Sequence, residues 1–331
     1  MKFFLLIYIA ILHIYGCGRG LATTELTQVP LPLTEQLVED SIPTPLAQHH
    51  HGFDLPYQMS HPDQRFELPE LLKEISGLSA PQDSLICANQ DEDGILFYIN
   101  KHTGKVVKEI PFHKKGDYES LEVVGDKVYV AKSNGNIYEV KDLESTPPFV
   151  QKHKFFLSKD NDVEGLCYDA TKNRLLIACK GLPSTGESMA KAKFKKVVYS
   201  FDLATSSMSM DPIYTISLDA IQKHLKHCKA SPYHEKLCGY FAPNAEAMIF
   251  SPSAIAIHPI TRNIYMTSSV KKILMIFDES GKILHLEKLD KKIHPQPEGM
   301  TFDTDGTLYI ANEGKSGMGT LLRFGYQTKT N

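Results

Sequence analysis

Short apolar runs, many alternating with polar residues at a spacing of two and broken by polar turns, recur through residues 61–326 and predict β-strands. In one stretch, residues 120–124 are followed by Gly125-Asp126 and residues 127–131, and Asn134-Gly135 leads into residues 137–140. Asn-Gly between β-branched runs predicts a tight hairpin, because both positions accept the left-handed backbone that such turns need. A second stretch repeats the plan with residues 254–258, a turn at 261–263, then 264–267, 273–277 and 282–286. Five copies of one short phrase head these units: Ile75-Ser76-Gly77-Leu78, Tyr118-Glu119-Ser120-Leu121, Val163-Glu164-Gly165-Leu166, Pro252-Ser253-Ala254-Ile255 and Pro297-Glu298-Gly299-Met300. A repeat of roughly 45 residues made of short strands predicts the blades of an all-β propeller.

The last repeat supplies three strands before the chain ends, and the segment Arg65-Phe66-Glu67-Leu68, ahead of the first repeat, is the expected fourth. That arrangement closes the ring and leaves no open edge between first and last blades. The interval from Glu164 to Ser253 is about twice the others, long enough for a sixth blade. A six-bladed ring is therefore the runner-up. Leu218, Ile221 and Leu225 recur at helical spacing there, and Pro232, Gly239 and Pro243 interrupt any long strand. Five blades with a short helical insertion at about 217–251, between the third and fourth, is the expected architecture.

Symmetry then picks out a candidate site. The first strand of each blade lines the central channel, so equivalent positions form rings: Ser76, Glu119, Glu164, Ser253 and Glu298 in one, and the small residues Gly77, Ser120, Gly165, Ala254 and Gly299 beside it. The ends of the second strands share that rim and add Asn89, Gln90, Lys132, Lys180, Asn312 and Glu313. Two carboxylates about 6 Å apart repel by roughly 3 kcal/mol at an effective dielectric near 20. Glu119, Glu164, Glu298 and Glu313 must therefore be protonated, paired with Lys132 or Lys180, or bridged by a cation. Oxygen donors in an exported protein suit calcium better than zinc, and these four glutamates are its expected ligands.

Export is read from the N-terminus. Lys2, an apolar run over residues 3–14 and Ile14-Tyr15-Gly16-Cys17 form a secretory signal with a lipobox-like end, predicting lipidation at Cys17. Residues 18–60, rich in Thr, Pro, Gln and His, read as a flexible tether to a bacterial cell-envelope membrane. The propeller follows over 61–326. Cys87, Cys167 and Cys179 fall on strand runs as small core residues, while Cys228 and Cys238 bracket a short polar loop as a candidate disulfide. A formal charge of −3, with basic residues scattered rather than striped, argues against a nucleic-acid partner. Of the 331 residues, 42% are hydrophobic and 23% charged, enough apolar content for one large packed domain.

The motifs at Gly116-Asp117-Tyr118-Glu119, Asp162-Val163-Glu164-Gly165-Leu166 and Pro297-Glu298-Gly299-Met300-Thr301-Phe302-Asp303, with Ile75-Ser76-Gly77-Leu78, resemble the SdiA-regulated (YjiK-like) family over about residues 61–326. The resemblance implies a five-bladed propeller distantly related to proteins with NHL repeats, with calcium bound in at least one member and no established reaction. Two functions are expected to compete. One is a tethered calcium-binding propeller that acts as a binding or scaffold module for an anionic small molecule or an envelope protein. The other is a calcium-dependent hydrolase of phosphate esters or lactones that uses the channel carboxylates. Gly314-Lys315-Ser316 lacks the context of a phosphate loop and reads as a hairpin, and Asp91-Glu92-Asp93-Gly94 reads as an acidic turn.

Overall fold

Five antiparallel sheets form the body, four with strands A to D hydrogen-bonded in chain order and the fifth closed by a strand from ahead of blade 1. The computed structural model describes residues 53–82, 84–184, 186–227, 234–315 and 317–327. Blade 1 comprises Ile75–Gln82, Leu85–Gln90, Ile95–Asn100 and Val106–Pro111; blade 2 comprises Tyr118–Val124, Lys127–Lys132, Ile137–Lys141 and Phe149–His153. In blade 3, Val163–Asp169, Arg174–Cys179 and Lys195–Asp202 are edged by two short strands, Ser207–Met208 and Tyr214–Ser217, which both pair with the third, and the loop between the second and third carries helix α1 (Met189–Ala192). Blade 4 runs Pro252–Ile257, Ile264–Ser268, Ile273–Phe277 and Ile283–Lys288. Blade 5 takes Pro297–Phe302, Leu308–Asn312 and Thr320–Phe324 from the C-terminal end of the chain and Gln64–Glu67 from ahead of blade 1. The closing strand is thus the expected one, with Arg65 opposite Leu322 and Phe66 opposite Leu321.

Alternation along a strand sends successive side chains to opposite faces, and in a propeller each face meets another blade. In strand B of blade 4, Ile264 and Met266 join the core shared with blade 3, while Tyr265 between them joins the core shared with blade 5. The other three interfaces have the same construction, between blades 2 and 3, 5 and 1, and 1 and 2. Burial on both faces explains why Ile273–Phe277 is apolar throughout and wholly buried. Truncating such a side chain, as in Leu274→Ala, removes roughly 2–5 kcal/mol from a packed core. Cys87, Cys167 and Cys179 lie in these interfaces as small buried residues.

The insertion is helical, as the spacing predicts. Helix α2 (Leu218–His227) buries Leu218, Ile221 and Leu225, and helix α3 (His234–Tyr240) buries Leu237, all against the interface of blades 3 and 4. Gln222 Nε2 donates to the carbonyls of Phe241 and Ala242 at 3.1 Å, which binds the two helices together. The Met248 N–H donates to Lys193 O at 2.9 Å and the Leu218 N–H to Phe194 O at 3.0 Å. The insertion therefore sits beside the long B–C loop of blade 3.

Packing against the propeller begins before residue 61, within the segment read as tether. Tyr57 and Met59 are 4% and 5% exposed. Tyr57 Oη donates to Gly306 O at 2.6 Å and lies among His258, Tyr265, Phe302 and Tyr326. Four aromatic neighbours explain the change: Thr and Pro richness upstream hid a short apolar segment, Phe53, Leu55, Tyr57 and Met59, with a hydrophobic surface to cover. Residues 1–52 lie outside the described residues, and with them Cys17 and the expected signal.

Candidate functional site

The same backbone knot precedes the ring position in four blades. The N–H of the residue after strand B donates to the carbonyl of the residue before strand A: Asp91 to Glu74 at 3.2 Å, Ser133 to Asp117 at 3.2 Å, Lys180 to Asp162 at 2.7 Å and Glu313 to Gln296 at 3.0 Å. Blade 4 substitutes a side chain, with the Ser251 N–H donating to Ser268 Oγ at 3.0 Å. Immediately after this start, the pairing of A with B skips a residue. The skipped residues are Glu119, Glu164, Ser253 and Glu298, and in blade 1 Ser76 with Gly77. Each ring residue is therefore a β-bulge, freed from the ladder so that its side chain can be re-aimed. The neighbouring small residues are needed for the close approach of inner strands. A Cβ on Gly299 would come within 2.5 Å of Ser76 O.

The three ring glutamates are brought together. Burial raises all three carboxyls above the usual range. Glu119 is pushed up to about 9, with Glu164 and Asp117 adding repulsion, and Glu298 to about 8, with Glu164 and Glu313 adding theirs. Glu164 is raised to about 7 by its burial, even though Lys180 Nζ donates to its Oε1 at 2.5 Å. That ammonium also lies 3.9 Å from Asp162 Oδ2 and stabilises the ionised forms of Glu119 and Glu298. One lysine thus serves Glu119, Glu164, Glu298 and Asp162. Negative charge remains in excess.

Lys132 does not share this work. Its ammonium sits over the Tyr118 ring, 4.8 Å from the centroid. Glu313 faces a second acidic group at the seam of blades 5 and 1: its Oε2 accepts from Gln296 Nε2 at 2.6 Å, and its carboxyl is hydrogen-bonded to that of Glu74. Burial, Glu74 and Glu313 together push Asp91 up to about 6. Ser253 is turned into a stitch, donating to Pro297 O of the next blade at 2.7 Å. The ring glutamates themselves are therefore confined to blades 2, 3 and 5, since the ring positions of blades 1 and 4 are Ser76 and Ser253.

Asp117, Asp162, Glu74 and Asp91 belong to the mouth but escape a reading centred on the phrase itself. The signal is one step earlier in the repeat, where the residue before strand A is acidic in three blades. Deeper in the channel, Glu122 accepts from Ser79 Oγ at 2.5 Å and from the Tyr168 N–H at 3.2 Å, joining blades 1, 2 and 3. Burial raises its carboxyl to about 7, against the lowering effect of those hydrogen bonds. Cys238 is exposed with Sγ 3.3 Å from His234 Nε2, while Cys228 lies outside the described residues.

The donor set suits a hard cation, because oxygens dominate and the negative charge is under-neutralised. As the side chains stand, no three acidic, histidine or cysteine groups among the described residues are gathered into a metal cage. The Lys180 ammonium occupies the position beside Glu164 and Asp162. No described helix is long and apolar enough to cross a membrane.

The SdiA-regulated family matches residues 241–315, the stretch that carries blade 4 and both Glu298 and Glu313. The resemblance to the SdiA-regulated family holds. Outside this SdiA-regulated stretch the same phrase and bulge recur in blades 1 to 3, which extends the structural pattern around the ring. Among solved structures, glutaminyl cyclase of Myxococcus xanthus is similar with a TM-score of 0.51 at 10% identity, covering 80% of this chain and 94% of that one. At that identity the likeness is one of fold alone. Virginiamycin B lyase of Staphylococcus aureus has a TM-score of 0.39 at 13% identity, covering 80% and 74%. The WD40 repeats of RRP9 have a TM-score of 0.45 at 10% identity, covering 81% and 99%. No curated protein sequence matches the chain.

Proposed function

We infer that this protein is an exported binding propeller, tethered to the bacterial cell envelope through Cys17, whose acidic mouth takes calcium. The observation that carries the reading is the convergence of three bulged glutamates, raised to about 7, 8 and 9 by burial and by the charge of neighbouring carboxylates, with one lysine opposing the shift. Glu119, Glu164 and Glu298 would hold the ion, with Asp117 and Asp162 in support and Glu313 on the flank toward blade 1. Bound calcium would supply positive charge and lock the three inner strands together. Lys180 occupies part of that role without metal, so binding requires its ammonium to leave Glu164. Ion and lysine then compete for one carboxylate.

Metal analysis of the purified protein, followed by melting with calcium or with chelator, tests this. Calcium is expected to raise the melting temperature, and Glu298→Gln to remove most of the gain. No retained metal together with an unchanged melt overturns the reading. Turnover of phosphate esters or lactones that disappears in Glu298→Gln would replace binding with catalysis.

A further inference from the structure

A second feature of the same rim has the opposite charge. Between helix α3 and blade 4 lies a cleft of about 580 Å³, whose walls are Lys236 and Tyr240 of α3, the B–C hairpin of blade 4 and the end of its strand D. The hairpin contributes Lys271 and Lys272; the strand end contributes Lys288 and Lys291. Among the described residues that line the cleft, the carboxylate is Asp290, whose Oδ1 already accepts the Lys292 N–H at 2.9 Å as part of its own turn.

The cleft is held in a conformation that local structure alone does not favour. Lys271 and Lys272 are consecutive residues in the left-handed region, at φ 61° and 52°. The corresponding hairpin of blade 2 meets its left-handed requirement with Gly135. Strained backbone at non-glycine residues persists where the surrounding structure fixes it, and it gathers at ligand sites. Lys271 Nζ is further placed over the Tyr240 ring, 5.4 Å from its centroid, so the helix and the hairpin are joined across the cleft. Lys288 Nζ donates to Leu289 O at 2.7 Å. Burial first, and then the neighbouring ammonium groups, lower the affinity of Lys272 and Lys288 for their protons, while Glu298 of the mouth opposes the shift at Lys272 and Asp290 that at Lys288.

We propose that this cleft binds a small ligand carrying two or more phosphate groups. The cations are all lysines, compact charges that follow tetrahedral oxygens from several directions, with no arginine fork to select a planar carboxylate. Val270 and Leu289 give the cleft an apolar wall for the organic part of an ester. The ligand is either a free phosphate ester or the headgroup of a phosphate-bearing lipid. The site differs from the acidic mouth in residues and in charge, and it stands independently of calcium.

The test is calorimetric titration of the full-length protein with tripolyphosphate in the presence of a chelator, so that metal bridging plays no part. Binding is expected to weaken at least tenfold when salt rises from about 50 to about 300 mM, since screening shortens the reach of exposed charge. It should weaken at least tenfold in Lys272→Gln/Lys288→Gln, with circular dichroism unchanged and the melting temperature not lowered, while Lys292→Gln binds normally. Vesicles of phosphatidylcholine with and without a phosphoinositide separate the sources: capture only by the latter, competed by tripolyphosphate, identifies a lipid headgroup, and soluble binding alone identifies a free ester. Absence of both, or binding indifferent to the double variant, overturns the proposal.

Discussion

The acidic mouth and the basic cleft share one rim and differ in how the chain builds them. In the mouth, charge comes from repetition: three blades place glutamate at the same bulge, and the ring gathers what the sequence spaces apart. In the cleft, charge comes from interruption: a helix inserted between blades meets a hairpin and a strand end of blade 4, and the lysines come from three separated segments. The symmetric region is rigid because its strands touch along the axis. The asymmetric region is assembled from parts that depart from the propeller plan. A propeller can thus hold an invariant channel while varying what surrounds it.

The sharpest way to separate the two regions is one substitution made in each. Gly299→Ala places a methyl group against Ser76 O of the adjoining blade and should cost about 2–3 kcal/mol of stability, read from urea unfolding. Gly239→Ala, in helix α3 beside the cleft, meets nothing within 4 Å and should stabilise by up to about 1 kcal/mol, since alanine is the better helix former. Equal losses at both positions would erase the distinction.

A smaller, pH-dependent effect has opposite signs in the two regions. The ring glutamates bind protons more tightly folded than unfolded, so their contribution falls as pH rises from the usual 4.5 through about 9. In chelator, the melting temperature should drop across that window, and Glu119→Gln should flatten the drop. Lys272 and Lys288 are shifted the other way, so their contribution recovers as pH approaches the ordinary lysine value of 10.5. Melting profiles of Glu119→Gln and Lys272→Gln/Lys288→Gln with the same slope change would sink the assignment. The smallest effect is Lys272→Gly, which relieves one left-handed residue and should stabilise by about 1 kcal/mol while weakening tripolyphosphate binding.

The contrast also explains what could be read from residues alone. Blade number, the closing strand before residue 75 and the ring Glu119, Glu164 and Glu298 were legible because repetition converts sequence spacing into geometry. The bulges were not, since a skipped ladder residue looks in sequence like any other strand position. Nor was the division of the two lysines, because Lys180 and Lys132 occupy nearly equivalent strand ends yet one meets a carboxylate and the other an aromatic face. Lys236, Lys271, Lys272, Lys288 and Lys291 lie in three separated segments, and a charge count along the chain sees only scatter. Glu313 was placed beside Glu298 by blade membership, whereas its hydrogen bonds tie it to Gln296 and Glu74.

Tyr57 is bonded to Gly306 in the turn that joins strands A and B of blade 5, at the end of the barrel-like axis remote from the glutamates. The hydrogen bond thus fastens the described segment that begins at Phe53 to the face of the ring opposite the mouth. A contact that fastens the far end of the last blade therefore leaves the acidic opening and the lysine-lined recess untouched.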